Sequence, residues 1–324
     1  MDRRCILRGS LTALLAWLGP FASAADWPQR PLRLIVPFAP GSTPDLTARI
    51  IGERLARQLG QPVVLDNKPG AGGNIGTDAV AKATADGYTF GLTISGPLAA
   101  NTLLYRRLPY DPARDLLPVS IAASQPSVLV TGPGMDAAEM ADLLARLRAH
   151  PGRYNYASLG TGSISHLAME ALAARSGTEV VHVPYAGSPQ AVSSLMMGDT
   201  QLAVLPVAAV MAQVRAGKLK ALAVATARRS PLLPELPTLA EAGLENVHAD
   251  AWTGFILPAK TPPAIAARLQ SEIAQALQSP EVRQKLQAQW MEPVGSTPEV
   301  FKAILQADLA RWQAIIRKNG ITLD

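Results

Sequence analysis

The stretch LRLIVPFAPGSTPDLTARIIGERLARQLG, residues Leu32 to Gly60, joins a short apolar run to an amphipathic helical pattern through a loop of Gly, Ser and Thr. A second stretch repeats that grammar more than a hundred residues later: RYNYASLGTGSISHLAMEALAARSG, residues Arg153 to Gly177. A strand that turns directly into a helix aims free backbone N–H groups and the positive helix end at one point, which suits a carboxylate or phosphate. Two such junctions facing each other from two lobes would form a clamp for a small anion.

Around these units, strand-like and helical runs alternate. Leu32–Pro37, Val63–Asn67 and Tyr88–Ile94 are short, β-rich and mostly apolar, as expected of strands covered on both faces. Between them, Thr43–Leu59 and Ile75–Ala83 carry apolar residues at helical spacing. Thr43-Pro44 reads as an N-cap followed by Pro at the first helical position, and Gly60 as the stop. Further strands are expected at Ser127–Thr131, Asn155–Ser158, Glu179–Pro184, Gln201–Pro206 and Lys220–Thr226. Such alternation argues for an α/β fold with parallel sheets built from right-handed crossovers.

Two apolar, Pro-punctuated stretches, Pro118–Gly132 and Ala251–Pro258, read as connections between lobes, so the chain would visit one lobe, then the other, then return. This division gives lobe 1 residues 25–123 and 253–324, and lobe 2 residues 124–252. The tail reads as three helices, Pro262–Gln278, Pro280–Trp290 and Pro298–Lys318, the last capped by Thr297. Its stripe Phe301, Ile304, Leu305, Leu309, Trp312 and Ile316 is expected to be core packing.

The first 24 residues read as an export leader. Asp2, Arg3 and Arg4 form a charged start, Leu11 to Phe21 an apolar run, and Ala22-Ser23-Ala24 a small-residue cleavage site. Arg3-Arg4 also fits a twin-arginine signal, and both export routes lead to the periplasm. The single cysteine, Cys5, would leave with the leader, removing thiol catalysis and thiolate metal sites. Cleavage after Ala24 takes the 30 basic and 25 acidic residues to 27 and 24. The basic residues are scattered and aromatics make up 5 %, which excludes a nucleic-acid surface of the usual striped kind. About 300 remaining residues exceed what one core usually supports, so two lobes are the default.

Taken in order, RPLRLIVPFAPGSTPDLTARI, GQPVVLDNKPGAGGNIGTDAVAKATADGYTF, LPYDPARDLLPVS, PGRYNYASLGTGSISHLAMEAL, VVHVPYAGSPQAV, GKLKALAVATARRSPLLPELPTLAEAG and WTGFILPAKTPP resemble the extracytoplasmic solute receptors of tripartite tricarboxylate transporters, the Bug family. The resemblance covers essentially all of the chain after the leader. It implies a two-lobed periplasmic binding protein fold, type II-like, with parallel-rich sheets, helices on both faces and a hinge of two crossing strands. It implies a monomer that captures a small organic carboxylate in the interlobe cleft and presents it to membrane permease subunits, with no cofactor. By the same resemblance the first loop supplies Phe38, Pro40, Gly41, Ser42, Thr43 and Asp45, with Ser95 after the third strand. The second lobe supplies Ser158, Gly160, Thr161, Gly162, Ser163 and His166, and then Gly187 and Ser188.

Three positions depart from the family pattern. Gly41-Ser42 replaces a frequent Gly-Gly, Ala186 stands where Lys is common, and the strand ending at Leu205-Pro206 lacks the frequent terminal acid. Losing that cation and that anion disfavours amino-acid ligands and favours a ligand with an uncharged or purely carboxylic body.

Other features keep two readings each. Gly70-Ala-Gly-Gly-Asn-Ile-Gly76 invites a dinucleotide reading, but its glycines are misplaced for that fingerprint and fit tight turns and helix packing. Ser163 and His166, three apart, could be nucleophile and base or simply two donors to an anion. No G-x-S-x-G elbow or separate acid accompanies them, so an exported hydrolase is disfavoured. The remaining histidines, His150, His182 and His248, show no metal-ligand spacing. Asp45 serves either as a cap for the first helical turn or as a holder of ligand-bound water. A periplasmic sensor that reports the same carboxylate to a signalling partner is the alternative function.

Overall fold

The computed structural model of the chain describes residues 27–185 and 187–323. The leader reading, residues 1–24, and the departure at Ala186 lie outside the described residues. The first half opens with β1 (Leu32–Val36), α1 (Thr43–Leu59), β2 (Val63–Asn67), α2 (Asn74–Ala81) and β3 (Thr89–Ile94). Two single-turn helices, α3 (Asn101–Leu104) and α4 (Pro112–Asp115), then lead into the long strand β4 (Leu116–Gln125). The helix α1 buries Ala48, Ile51, Leu55 and Leu59, recurring every three or four residues, and stops at Gly60 in the left-handed region.

Pro126 alone separates β4 from β5 (Ser127–Thr131), which belongs to a second sheet. There follow α5 (Met140–Ala149), β6 (Asn155–Ser158), α6 (Ile164–Ser176), β7 (Val181–Pro184), α7 (Ser188–Met197), β8 (Leu202–Pro206), α8 (Val207–Arg215) and β9 (Lys220–Val224). The chain returns through β10 (Ala251–Pro258), α9 (Pro263–Gln278), α10 (Pro280–Ala288), β11 (Glu292–Pro293) and α11 (Pro298–Asn319).

The first sheet has the order β11-β4-β10-β3-β1-β2 and the second β7-β6-β8-β5-β9. Each is mixed. The strand–helix–strand units pair in parallel, β1 with β2 and β3, and β6 with β7 and β8. The strands next to the crossing run against them: β10 is antiparallel to β3 and β4, and β5 to β8 and β9.

All of Ala251–Pro258 lies in the first sheet, so the return passage precedes it. Ala249 N–H still donates to Ala225 O beside the second sheet, at 2.7 Å, whereas Ala251 already pairs with Gln125 in the first. The two passages between sheets are therefore Pro126 and Asp250, one residue each.

The first sheet is packed by α1, α9 and α10 on one face, with Leu34, Leu55, Phe90, Phe255 and Leu269 buried together. The second has its own buried clusters, centred on Leu129, Tyr156 and Leu172 and on Val130, Leu195 and Leu205. Each fully buried Leu, Ile or Phe contributes about 1.5–3 kcal/mol of transfer free energy.

The Thr297 cap forms as read: its side chain accepts from Val300 N–H. Of the expected α11 stripe, Phe301, Trp312 and Ile316 are buried and Ile304, Leu305 and Leu309 half-buried, while Asp308 is buried beside them. Trp252 Nε1 donates to Asp308 Oδ2 at 3.0 Å, so a core indole draws the acid inward. Further along, Trp312 and Ile316 of α11 share a buried cluster with Leu104 of α3 and Leu167 of α6, joining elements from both halves.

Candidate functional site: two loops and a cavity at the hinge

The loop between β1 and α1 is braced from below by an acid. Asp45 is 1 % exposed, and its Oδ2 accepts from Gly41 N–H at 2.9 Å. Arg49 grips both carboxylate oxygens, Nε to Oδ2 at 2.9 Å and Nη2 to Oδ1 at 3.1 Å. Asn67 Nδ2 donates to Asp45 Oδ1 and to Phe38 O, each at 2.9 Å, tying the loop to β2. Burial alone would raise the carboxyl pKa, but the bonds from Arg49, Gly41 and Asn67 outweigh it and hold it below the usual range.

The helix spans Thr43–Leu59 as read, but its cap lies one residue earlier than expected. Ser42, not Thr43, is the N-cap, with extended φ −71° and ψ 160°, and Pro44 takes the second helical position. Thr43 is already helical, and its carbonyl accepts from Thr47 Oγ1 at 2.8 Å. The Ser42 side chain makes no capping bond. Pro44 has no N–H to give, so among the described residues the Thr43 and Asp45 N–H groups at the end of α1 have no side-chain acceptor. The hydroxyls of Ser42 and Ser95 are buried without a hydrogen-bond partner among the described residues. The glycine run serves packing here. A Cβ on Gly76 would lie 2.5 Å from Pro37 Cα, and one on Gly73 2.7 Å from Phe38 Cζ.

The second loop is closed upon itself. Ser163 caps α6, accepting from His166 N–H at 3.3 Å while its hydroxyl donates to Gly160 O at 2.6 Å. Leu159 N–H donates to Ser165 Oγ at 2.8 Å, and Gly162 N–H to His166 Nδ1 at 3.0 Å. Ser158 Oγ bonds His182 Nε2 at 2.6 Å. Thr161 is exposed, and Gly187 is the extended N-cap of α7, followed by Ser188 as its first residue.

His166 sits inside this cluster, 5 % exposed, with burial and the neighbouring His182 lowering its pKa to about 4. At neutral pH its Nδ1 is therefore a lone-pair acceptor for the loop, and the remaining proton is on Nε2.

Between the sheets lies a cavity of about 150 Å³, whose lining includes Phe38, Thr43, Ile94, Trp252 and Met291, with Pro206 from the second sheet. Of the residues expected at the site, this cavity brings together Phe38 and Thr43; none of the second-loop residues lines it. Sequence reasoning missed the contribution of the crossing strands and of Met291. Trp252, the one indole of this strand, was the available signal. Among the described residues, no group of three or more His, Cys, Asp or Glu side chains could hold a metal ion, and no helix is long and apolar enough to cross a membrane.

Two mixed α/β sheets joined at a double crossing, with a cavity at the crossing, define the two-lobed solute-binding protein class. Residues 47–321 match the tripartite tricarboxylate transporter family receptor, and the chain belongs to that family. It is 38 % identical to the protein BugT of Bordetella pertussis over 324 residues, covering 97 % of this chain and 99 % of that one. It is also similar to the solved Rpa4515 of R. palustris with adipate, at 37 % identity and a TM-score of 0.80, covering 92 % and 99 % of the two chains. A third relative is MatC of Rhodopseudomonas palustris with bound malate, at 30 % identity and a TM-score of 0.75, covering 90 % and 100 %. Members of this family are solute receptors, not enzymes.

Proposed function

We propose that this protein is a periplasmic receptor that captures a small organic carboxylate between its lobes and hands it to the membrane permease of a tripartite transporter. The observation that carries the reading is the end of α1, left without a side-chain cap where Thr43 meets the hinge cavity. A carboxylate there would accept the first-turn N–H groups and meet the positive helix end. Solved relatives with adipate and malate support a carboxylate as the ligand class.

Capture works by differential binding: the closed form contacts the ligand from both lobes, which an open form cannot do. The one-residue passages at Pro126 and Asp250 suit such a hinge. In a thermal-shift screen, carboxylic acids should stabilise the protein and their amides should not. At 100 times the dissociation constant, one site adds about 2.7 kcal/mol. Equal stabilisation by acid and amide would overturn the proposal.

A further inference from the structure

The hinge cavity carries information about the rest of the ligand. We propose that it selects a monocarboxylic acid with a compact, uncharged, apolar body of ring size, held against Phe38, Ile94, Trp252 and Met291 while the carboxylate meets the end of α1. This rests on the carboxylate reading above and adds the chemistry of the ligand body.

Three observations point the same way. The first is size and lining. The cavity of about 150 Å³ has no Lys, Arg, His, Asp or Glu in its lining. Apolar cavities of about this volume accept a benzene-sized guest.

The second is the direction of the polar groups that do line it. Trp252 Nε1 donates to Asp308 at 3.0 Å, and Gln125 Nε2 to Gln289 O at 3.3 Å. Thr253 Oγ1 donates to Ala123 O at 3.4 Å, and the Met291 sulfur accepts from Thr47 Oγ1 at 3.0 Å. These groups turn their bonding capacity into the protein, so apart from the Thr43 and Ser124 hydroxyls the side chains face the space mostly with carbon. A carboxylate or hydroxyl pushed into it would lose water and gain little in return.

The third is the far side of the cleft, where a dicarboxylate would need a second anion site. The α6 end offers little. Its Ser163 cap is in place, and the Leu159 and Gly162 N–H groups are bonded within the loop. The side chains of Leu104 and Leu323 also stand over Gly162, where an added Cβ would come within 2.8 and 3.3 Å of them. The α6 end already has a side-chain cap and the α1 end has none, which favours one carboxylate over two.

The test is calorimetric titration of the protein, freed of co-purified ligand, with benzoate, cyclohexanecarboxylate, adipate, citrate and benzamide. Both ring acids should bind at least about tenfold more tightly than adipate or citrate. Adipate or citrate binding more tightly than both ring acids, or no measurable binding of either ring acid, would overturn the inference. Benzamide binding as well as benzoate would instead overturn the carboxylate reading itself. In a second arm, Ala251→Leu projects extra carbons into the cavity from its rim. It should weaken benzoate by about tenfold or more while leaving propionate unchanged. Ala251→Val serves if the Leu variant unfolds early, and unchanged benzoate affinity in a folded variant would also overturn the inference.

Discussion

His166 and His182 lie face to face, ring centroids 3.9 Å apart and 7° from parallel, with Tyr156 stacked beyond His182 at 5.0 Å. Glu170 closes the group: its Oε1 accepts from Tyr156 Oη at 2.5 Å and stands 4.0 Å from His166 Nε2. Burial lowers the pKa of both imidazoles. Two stacked rings cannot both charge cheaply, and the lone pair on His166 Nδ1 is what holds the Gly162 N–H.

Stability should therefore fall on mild acidification. The His166 pKa is about 4 folded against 6.5 unfolded, so the unfolded chain binds more protons between those values. Stability present above pH 6.5 is lost as the pH falls toward 4, with a ceiling of about 3 kcal/mol from this residue. Urea unfolding between pH 7 and 4.5 checks it: His166→Gln should flatten the pH dependence. Identical slopes in the two proteins would show that another group governs the acid limb.

Asp45 gives the second prediction. Removing a buried, fully bonded carboxylate leaves Arg49, Asn67 and Gly41 N–H without their acceptor, so Asp45→Ala should cost about 3 kcal/mol or more. Arg49→Ala, whose side chain is 53 % exposed, should cost only about 1 kcal/mol. The Asp45 contribution is present above pH 3.8 and disappears as the pH falls through its lower folded value. Denaturant midpoints for the two variants decide the matter, and equal losses would refute the brace.

Local pattern carried much of the fold. Thr43–Leu59 keeps its expected bounds because Pro44, Asp45 and Gly60 are start and stop signals within the chain itself. Val63–Asn67, Ser127–Thr131 and Asn155–Ser158 also form as read, since short β-rich runs between turn residues have few alternatives. What the chain does not display locally is partnership across distance. Nothing near Asp45 signals Asn67, 22 residues on, and nothing in α11 signals that Trp252 needs the acceptor at Asp308. Both loops are legible as loops, yet their unequal state of capping depends on rotamers that spacing does not encode. The cavity is assembled from β3, β4, β8 and β10 together with Phe38, Pro44 and Met291, so no single segment announces it.

The two loop glycines should respond differently. Gly41 has φ +81° and open space where a Cβ would go, so Gly41→Ala meets only backbone strain, about 1 kcal/mol. Gly162 has φ +76° and Leu104 Cδ1 2.8 Å from the added carbon, so Gly162→Ala meets the same strain plus a clash. Thermal denaturation should show the larger loss for Gly162→Ala. A smaller loss there would mean that Leu104 yields freely.

The open end of α1 gives the sharpest test of the anion site. Ser42 already has the extended backbone of an N-cap but makes no capping bond, so Ser42→Ala should leave stability nearly unchanged. Ser42→Asp instead places a built-in carboxylate beside the first-turn N–H groups and the positive helix end. It should stabilise the unliganded protein by about 1 kcal/mol at neutral pH. The same carboxylate would occupy the donors proposed for the ligand and repel its charge, so carboxylic acids should no longer raise the melting temperature. Stability and binding then move in opposite directions through one side chain, which a generally damaging substitution cannot imitate. If Ser42→Asp gains stability and still responds to acids like the wild type, the end of α1 is not where the carboxylate binds.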